Sequence, residues 1–122
     1  MNNVNELVVG YLAAWNERDA ARRRALIGKV WAEDAAYVDA HRRGEGHEGI
    51  DSMIAAAQAQ YPGYRLRLVS GIEAHNDYIR FSWAAGGIPE APLYLGGTDF
   101  AVIAPDGRLK IVAGFVDAAS AV

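Results

Sequence analysis

The chain contains no cysteine, and this absence excludes disulfides, thiolate nucleophiles and cysteine-based zinc or iron–sulfur sites. No apolar run approaches the roughly 18 residues that a membrane span needs, so no membrane partner is expected. The first residues, Met-Asn-Asn-Val-Asn-Glu, lack the basic and then apolar regions of a secretory signal. A cytoplasmic location is therefore the expectation.

The chain also lacks a long run of residues with the same sign of charge. Twelve basic and fifteen acidic residues are interspersed to a net charge of −3, which argues against a nucleic-acid partner. The clusters Arg22–Arg24 and Arg42–Arg43 are short, and we expect them on solvated faces. His41, His47 and His75 match no compact metal-binding spacing, so neither a metal nor another cofactor is expected.

What the chain does have is apolar material for one core. Hydrophobic residues make up 52% of its 122 residues, which suits a single domain over residues 1–122. Apolar side chains recur at helical spacing along the first segment, at Val4, Leu7, Val8, Tyr11, Leu12 and Trp15. This stripe predicts a helix that Asn2 or Asn3 caps and that ends near Asn16.

Two further helices are predicted. Asp19 can cap the second, which places Leu26, Ile27, Val30 and Trp31 on one side and the arginines 22–24 on the other. The third runs from about Glu48 to Tyr61 and stops at Pro62-Gly63.

The rest of the chain has the alternation of strands. Residues 35–40 predict a short strand, and the turn region 41–46 has room for a return strand. Four more strands are predicted over residues 64–73, 78–83, 93–104 and 108–117, with turns at 75–77 and 105–107 and a loop at 86–92. Helices first and hairpin-joined strands last predict an α+β fold, a cone-shaped curved antiparallel sheet that packs on three N-terminal helices and encloses a pocket.

Three polar residues lie where their neighbours face the core. Tyr11 is either an ordinary core tyrosine or a donor to a ligand. Asp39, near the end of the first strand, is either a turn-former or a general base. Asp99 lies on a strand with no obviously wet face, so either a basic side chain such as Arg80 pairs with it or desolvation leaves it protonated.

The same residues carry a family resemblance. Three stretches resemble the nuclear-transport-factor-2-like superfamily, especially its SnoaL-like proteins and ketosteroid isomerases: Tyr11-Leu-Ala-Ala-Trp-Asn-Glu-Arg-Asp19, Trp31-Ala-Glu-Asp-Ala-Ala-Tyr-Val-Asp39, and Gly97-Thr-Asp-Phe-Ala-Val-Ile with Asp106-Gly-Arg-Leu-Lys-Ile. The likeness extends from about Val4 to Asp117. It implies a cone-shaped barrel, a pocket for a small hydrophobic molecule, and a homodimer through the outer face of the sheet.

The resemblance to ketosteroid isomerases also implies catalytic roles. It makes Asp39 the residue that moves the proton, and Tyr11 with a protonated Asp99 the oxyanion hole. Ala40 and Ile54 depart from that pattern, which often has a proline after the base and a tyrosine on the third helix.

Two further sets of residues are predicted for this fold. The pocket walls are expected to include Trp15, Trp31, Tyr37, Ile54, Phe81, Trp83 and Phe115. The outer sheet face of a dimer would carry Tyr94, Phe100, Val102, Val112 and Val116.

The leading functional hypothesis is proton transfer on a small apolar carbonyl compound, in the manner of an isomerase or a polyketide cyclase. A dehydratase that uses His41 or His75 with Tyr37 has less support. An epoxide hydrolase with an Asp–Arg–Asp site is disfavoured because the chain has no Arg-x-Asp triplet.

The alternative is a non-catalytic ligand-binding or dimerisation module. The pKa of Asp99 distinguishes the two. A value near or below about 4 favours the binding module, and a value above about 7 favours an oxyanion hole.

Overall fold

The fold is described from a computed structural model that covers residues 3–88, 91–117 and 120–121, with backbone alone for 87–88, 91–94 and 120–121. The helices are α1 Val4–Asn16, α2 Ala20–Val30 and α3 Gly46–Gln60. The strands are β1 Trp31–Val38, β2 Arg43–Glu45, β3 Leu66–Leu68, β4 Glu73–His75, β5 Tyr78–Ile88, β6 Ala91–Ile103, β7 Leu109–Val116 and β8 Ser120–Ala121. The α+β class predicted from the sequence is confirmed.

The predicted starts of the first two helices are confirmed by their caps, whereas the third helix begins at Gly46, two residues before the predicted Glu48, without a side-chain cap. The Asn3 side chain accepts the backbone N–H of Asn5 at 2.7 Å, and Asp19 accepts that of Arg22 at 2.9 Å. The second helix ends earlier than its apolar pattern suggests. Trp31 still donates its N–H to the carbonyl of Ile27, but its backbone is extended and begins β1 rather than continuing α2.

The sheet has the order β2-β1-β7-β6-β5-β3, with β4 paired to β5 and β8 to β6. All its pairs are antiparallel except β1 with β7, so the sheet is mixed rather than purely antiparallel. Between the partners of Trp31 and Ala36 the register of this parallel pair shifts. The early start of β1 depends on this pairing with the last long strand.

The strand boundaries differ in two places from those that the alternation of apolar residues predicted. The segment predicted as one strand over 64–73 pairs only at Leu66–Leu68, and a separate short strand follows at Glu73–His75. The predicted loop at 86–92 is narrower, because β5 continues to Ile88 and β6 begins at Ala91. Gly86 has a φ of 117°, which a side chain would strain, and the register shifts just beyond it.

One face of the sheet packs on the helices, and the other is open. Helices and sheet both contribute to the core between them, whose largest fully buried apolar side chains include Trp31, Tyr11, Ile27, Ile50, Ile54, Ile79 and Leu109. Val112 is fully buried as well and Val116 is half-buried against the core, so these two do not belong to the outer face. Phe115 lies on that outer face instead and is 67% exposed. The side chain of Tyr94 lies outside the described residues.

The arginines of α2 are not all on a solvated face. Arg23 is buried, and its Nε donates to Asp51 of α3 at 2.6 Å. Its guanidinium also donates to the carbonyl of Glu17 and the side chain of Gln58, each at 3.2 Å. This buried network fixes α3 against the loop between α1 and α2. Among the described residues, no helix is long and apolar enough to cross a membrane.

Candidate active site

A cavity of about 300 Å³ lies between the helices and the inner sheet face. Its lining is mostly apolar and brings together all three polar residues that the sequence singled out, Tyr11, Asp39 and Asp99. Aromatic side chains of Trp15, Tyr37 and Trp83 also line it, as predicted. The cavity is at the lower end of the size range for small-molecule sites.

Four predicted wall residues lie elsewhere. Trp31 and Ile54 are fully buried in the core and do not reach the cavity. Phe81 is likewise buried away from it. Phe115 points to the outer face, because inward positions on β7 are those of Val112, Gly114 and Val116.

Asp99 lies in the middle of β6, between Phe81 of β5 and Gly114 of β7. It is 1% exposed. Tyr11 Oη donates to its Oδ2 at 2.7 Å, and Trp83 Nε1 donates to its Oδ1 at 3.0 Å. The suggested partner Arg80 instead pairs with Glu73 at the surface. Among the described residues, Asp99 therefore has two uncharged donors and no cation within 4 Å.

Burial raises the pKa of Asp99 from 3.8 to about 6. The hydrogen bonds from Tyr11 and Trp83 favour the carboxylate and oppose this rise, while the negative charge of Asp39 adds to it. Near neutral pH the side chain can hold or release a proton. This pKa of Asp99 lies between the value of about 4 that favours a binding module and the value of about 7 that favours an oxyanion hole.

Asp39 follows the end of β1 and is half-buried at the cavity wall. Its Oδ1 accepts the backbone N–H groups of His41 at 2.7 Å and Arg42 at 2.9 Å. Its Oδ2 accepts the Tyr37 hydroxyl at 2.7 Å. Asp39 is therefore a turn-former and a cavity residue at once, so the two interpretations of the sequence are compatible.

Gly114 leaves space beside the Tyr37 hydroxyl and the Asp99 carboxyl group. A Cβ on Gly114 would lie 2.6 Å from Tyr37 Oη and 3.0 Å from Asp99 Oδ1. Both oxygens thus border one methyl-sized space that a side chain would fill. Sequence reasoning missed this glycine, the hydrogen bond from Tyr37 to Asp39 and the hydrogen bond from Trp83 to Asp99. The available signal was register, since Gly114 is the β7 neighbour of Asp99.

Tyr11 and Tyr37 are both held in the neutral form. Burial raises the pKa of Tyr11 well above its usual value, and the charge of Asp99 raises it further. Burial also raises the pKa of Tyr37, together with the charge of Asp99, while Arg42 opposes the rise. Each hydroxyl is therefore a hydrogen-bond donor at any physiological pH.

The histidines do not form a common site. His41 lies at the cavity, whereas His47 contacts the Trp31 carbonyl through Nε2 at 2.8 Å. His75 is exposed in β4, away from the cavity. Over the part of the chain that the structure describes, no group of three or more His, Asp or Glu side chains could hold a metal ion.

Solved structures with the same fold place the chain in a family. A proposed isomerase of the SnoaL-like family from Agrobacterium tumefaciens strain C58 is 43% identical, with a TM-score of 0.86 over 93% of this chain and 96% of that one. This chain belongs to the SnoaL-like family, whose members here share the nuclear-transport-factor-2-like fold.

More distant structures agree on the fold. A proposed SnoaL-like polyketide cyclase from Jannaschia sp. CCS1 is 14% identical, with a TM-score of 0.71 over 96% of this chain and 91% of that one. A SnoaL-like protein of unknown function from Burkholderia thailandensis E264 is 13% identical, with a TM-score of 0.71 over 93% and 94%. No protein-family model matches the chain, and no curated protein matches it.

Proposed function

We propose that this protein catalyses proton transfer on a small apolar carbonyl compound, in the manner of an isomerase or a polyketide cyclase. The observation that carries the proposal is Asp99, a buried carboxyl group at an apolar cavity to which, among the described residues, only uncharged groups donate hydrogen bonds. Such a group is costly to keep ionised and has a pKa close to the working pH. The similarity to a proposed isomerase at 43% identity supports the same class.

Asp39 is the proposed general base. It would take the proton next to the substrate carbonyl and return it at another carbon, which leaves the enzyme unchanged. Its Oδ1 is held by two backbone N–H groups, so the carboxylate has a fixed orientation at the cavity wall. The Tyr37 hydroxyl on Oδ2 would have to yield or share that oxygen when the proton moves.

Tyr11 and Asp99 are the proposed oxyanion hole. When Asp99 is protonated, its Oδ2–H can donate to Tyr11 Oη across the 2.7 Å contact. The Tyr11 hydroxyl hydrogen is then free to donate to the substrate oxygen. Removing one such donor typically raises a reaction barrier by about 3–4 kcal/mol, because the negative charge on the enolate oxygen loses its stabilisation.

A non-catalytic ligand-binding module is the second candidate. It is favoured by the fact that both carboxyl groups already have partners without a ligand. Asp39 holds a turn, and Asp99 accepts from an indole and a phenol. In this case the cavity would bind an apolar molecule and move no proton.

Binding of 2-naphthol, measured by its fluorescence, separates the two candidates. Naphtholate resembles an enolate, so we expect tight binding to the wild type and tighter binding to Asp39→Asn, which removes a negative charge near the ligand oxygen. Asp34→Asn, an exposed carboxylate outside the cavity, is the matched control and should bind like the wild type. Binding that is the same in all three proteins would favour the binding module. A true substrate turned over at full rate by Asp39→Asn would refute the base.

We also propose a homodimer through the outer sheet face. Tyr78 and Phe100 stack there with ring centroids 5.6 Å apart, and Ile111 and Phe115 are exposed beside them. Register places Phe115 next to Thr98 and Arg80 next to Phe100, so this apolar area also contains the exposed Arg80–Glu73 ion pair. A second copy related by a two-fold axis would cover the exposed apolar side chains, while Arg80 and Glu73 balance each other's charge within each copy.

Light scattering tests the dimer. Phe115→Asp should convert a dimer to a monomer, because two carboxylates would be buried in the contact. Val9→Asp is the matched control, since Val9 is also an exposed apolar residue, at 64%, but lies on α1. A wild-type monomer would overturn this proposal.

A further inference from the structure

The mouth of the cavity carries basic side chains, although the cavity itself is mostly apolar. Arg18, His41 and Arg42 all line it, and Asp117 is an exposed acidic residue of the same lining. Among the described residues, no carboxylate lies within 4 Å of either guanidinium. Other arginines of the chain do have such partners, namely Arg23, Arg24, Arg43, Arg80 and Arg108.

Arg18 has a structural role that accounts for its position. Its guanidinium donates to the Tyr64 carbonyl at 2.9 Å and to the Gln58 carbonyl at 3.4 Å. These bonds satisfy a carbonyl near the C-terminal end of α3 and fix the segment that follows. Its charge still contributes to the potential at the mouth, but its donors are partly occupied.

Arg42 is different because little holds its side chain. Its backbone is fixed in the turn, where it exchanges hydrogen bonds with Asp39. Its half-buried guanidinium donates only to Gln60 Oε1, at 3.0 Å, among the described residues. A guanidinium has five N–H donors in a planar fork that matches a carboxylate. Most of these donors are therefore available where the side chain lines the cavity.

The positive charge of Arg42 also acts on a polar side chain inside the cavity. It opposes the rise in the pKa of Tyr37, whose hydroxyl binds Asp39. An anion at Arg42 would thus sit at the mouth while the rest of the molecule extends inward. The Asp39 carboxylate at the same cavity opposes an anion, so the attraction of the Arg42 guanidinium has to exceed that repulsion.

We infer that the substrate is an organic anion, a small cyclic or aromatic carbonyl compound whose carboxylate binds Arg42 at the cavity mouth. Its apolar ring would lie among Trp15, Tyr37 and Trp83, and its carbonyl would face Tyr11. The inference rests on the proposed function for the carbonyl end and adds the class of the other end. A carboxylate is the matching group because it forms two parallel charge-assisted hydrogen bonds with one guanidinium.

Three probes with one ring system separate the two ends. They are 2-naphthol, 2-naphthoic acid and 6-hydroxy-2-naphthoic acid, titrated by fluorescence against the wild type, Arg42→Gln and Arg42→Lys. We expect Arg42→Gln to weaken both acids by about tenfold or more and to leave 2-naphthol within about twofold. Arg42→Lys should restore part of the loss, since it keeps the charge but not the fork. Arg43→Gln, at an exposed arginine paired with Glu45, is the matched control and should change none of the three affinities.

Salt gives an independent readout. Raising the ionic strength should weaken the acids more than 2-naphthol, because the guanidinium–carboxylate attraction at the open mouth is screened. The inference is overturned if neither acid binds, or if Arg42→Gln leaves both acids unchanged.

The same binding data distinguish a failure of the proposed oxyanion hole from a failure of the proposed anion site. Arg42-dependent binding of 2-naphthoic acid, without any binding of 2-naphthol, would contradict the oxyanion hole and support the anion site. If 2-naphthol binding depends on Asp99 while the affinities of the two acids do not change in Arg42→Gln, the oxyanion hole is supported and the anion site is contradicted.

Discussion

Replacing Asp99 by Asn tests the electrostatics of the site directly. The amide has nearly the shape of the protonated carboxyl group and can keep both contacts. Its oxygen can accept from Trp83 Nε1, and its NH₂ can donate to Tyr11 Oη. Unlike Asp99, it does not titrate, so the difference in unfolding free energy between the wild type and Asp99→Asn isolates the ionisation of this one group.

The magnitude follows from the pKa of Asp99, which is 3.8 ordinarily and about 6 in the folded protein. Below the lower value both folded and unfolded chains hold the proton, and the full contribution to stability is present. Between the two values the unfolded chain releases its proton first, so stability falls as pH rises. One pKa unit corresponds to about 1.4 kcal/mol, so a shift of roughly two units corresponds to about 3 kcal/mol lost by pH 7.

Urea unfolding at intervals from about pH 3 to about pH 8 measures this difference. We expect the stability of the wild type relative to Asp99→Asn to fall by about 3 kcal/mol across the window and then to level off. A difference that stays constant, or rises with pH, would refute the reasoning. Asp106→Asn is a control of opposite sign. The N–H groups of Arg108 lower the pKa of the exposed Asp106, so its contribution is lost as pH falls.

Two other substitutions test packing around the site. Gly114→Ala should destabilise the protein by about 1–3 kcal/mol and weaken 2-naphthol binding, because the new methyl group would lie 2.6 Å from Tyr37 Oη; Gly28→Ala, in a helix with nothing within 4 Å, is the control and should be neutral or stabilising. Arg23→Ala should cost up to about 3–5 kcal/mol in urea unfolding, since it removes the buried partner of Asp51 and leaves this largely buried carboxylate the exposed Arg24, 3.7 Å away. Recovery of most of that loss in the double variant Arg23→Met with Asp51→Leu is expected, and its absence would contradict the ion-pair explanation.

Local patterns were enough to predict the helices and most of the strands. Caps at Asn3 and Asp19 and the apolar stripe of α1 act within a few residues, so they can be read without the rest of the fold. The buried position of Asp99 also followed from its neighbours along one strand. Its chemical partners did not, because Tyr11 and Trp83 reach it from elements distant in sequence.

The phase of β7 could not be derived from hydrophobicity. Alternation allows either face of β7 to point toward the core, and the large apolar side chain of Phe115 favours the face that carries it. The folded chain does the opposite, because the inward space at Gly114 is taken by the Tyr37 hydroxyl and the Asp99 carboxyl. Tertiary packing decides the register here, and no pattern within β7 contains that information. The same limit explains the early start of β1, which depends on its partner strand β7.

The hydrogen bond from Trp83 to Asp99 gives the protein a built-in optical reporter. Indole emission responds to charge next to the ring nitrogen, and Trp83 Nε1 lies 3.0 Å from the carboxyl oxygen whose proton is in question. The chain has three tryptophans, so Trp83→Phe identifies which part of the signal belongs to this one. A pH titration of the emission could then follow protonation of Asp99 in the unlabelled protein. Ligands that displace this proton could be distinguished from ligands that retain it by the shift in emission wavelength.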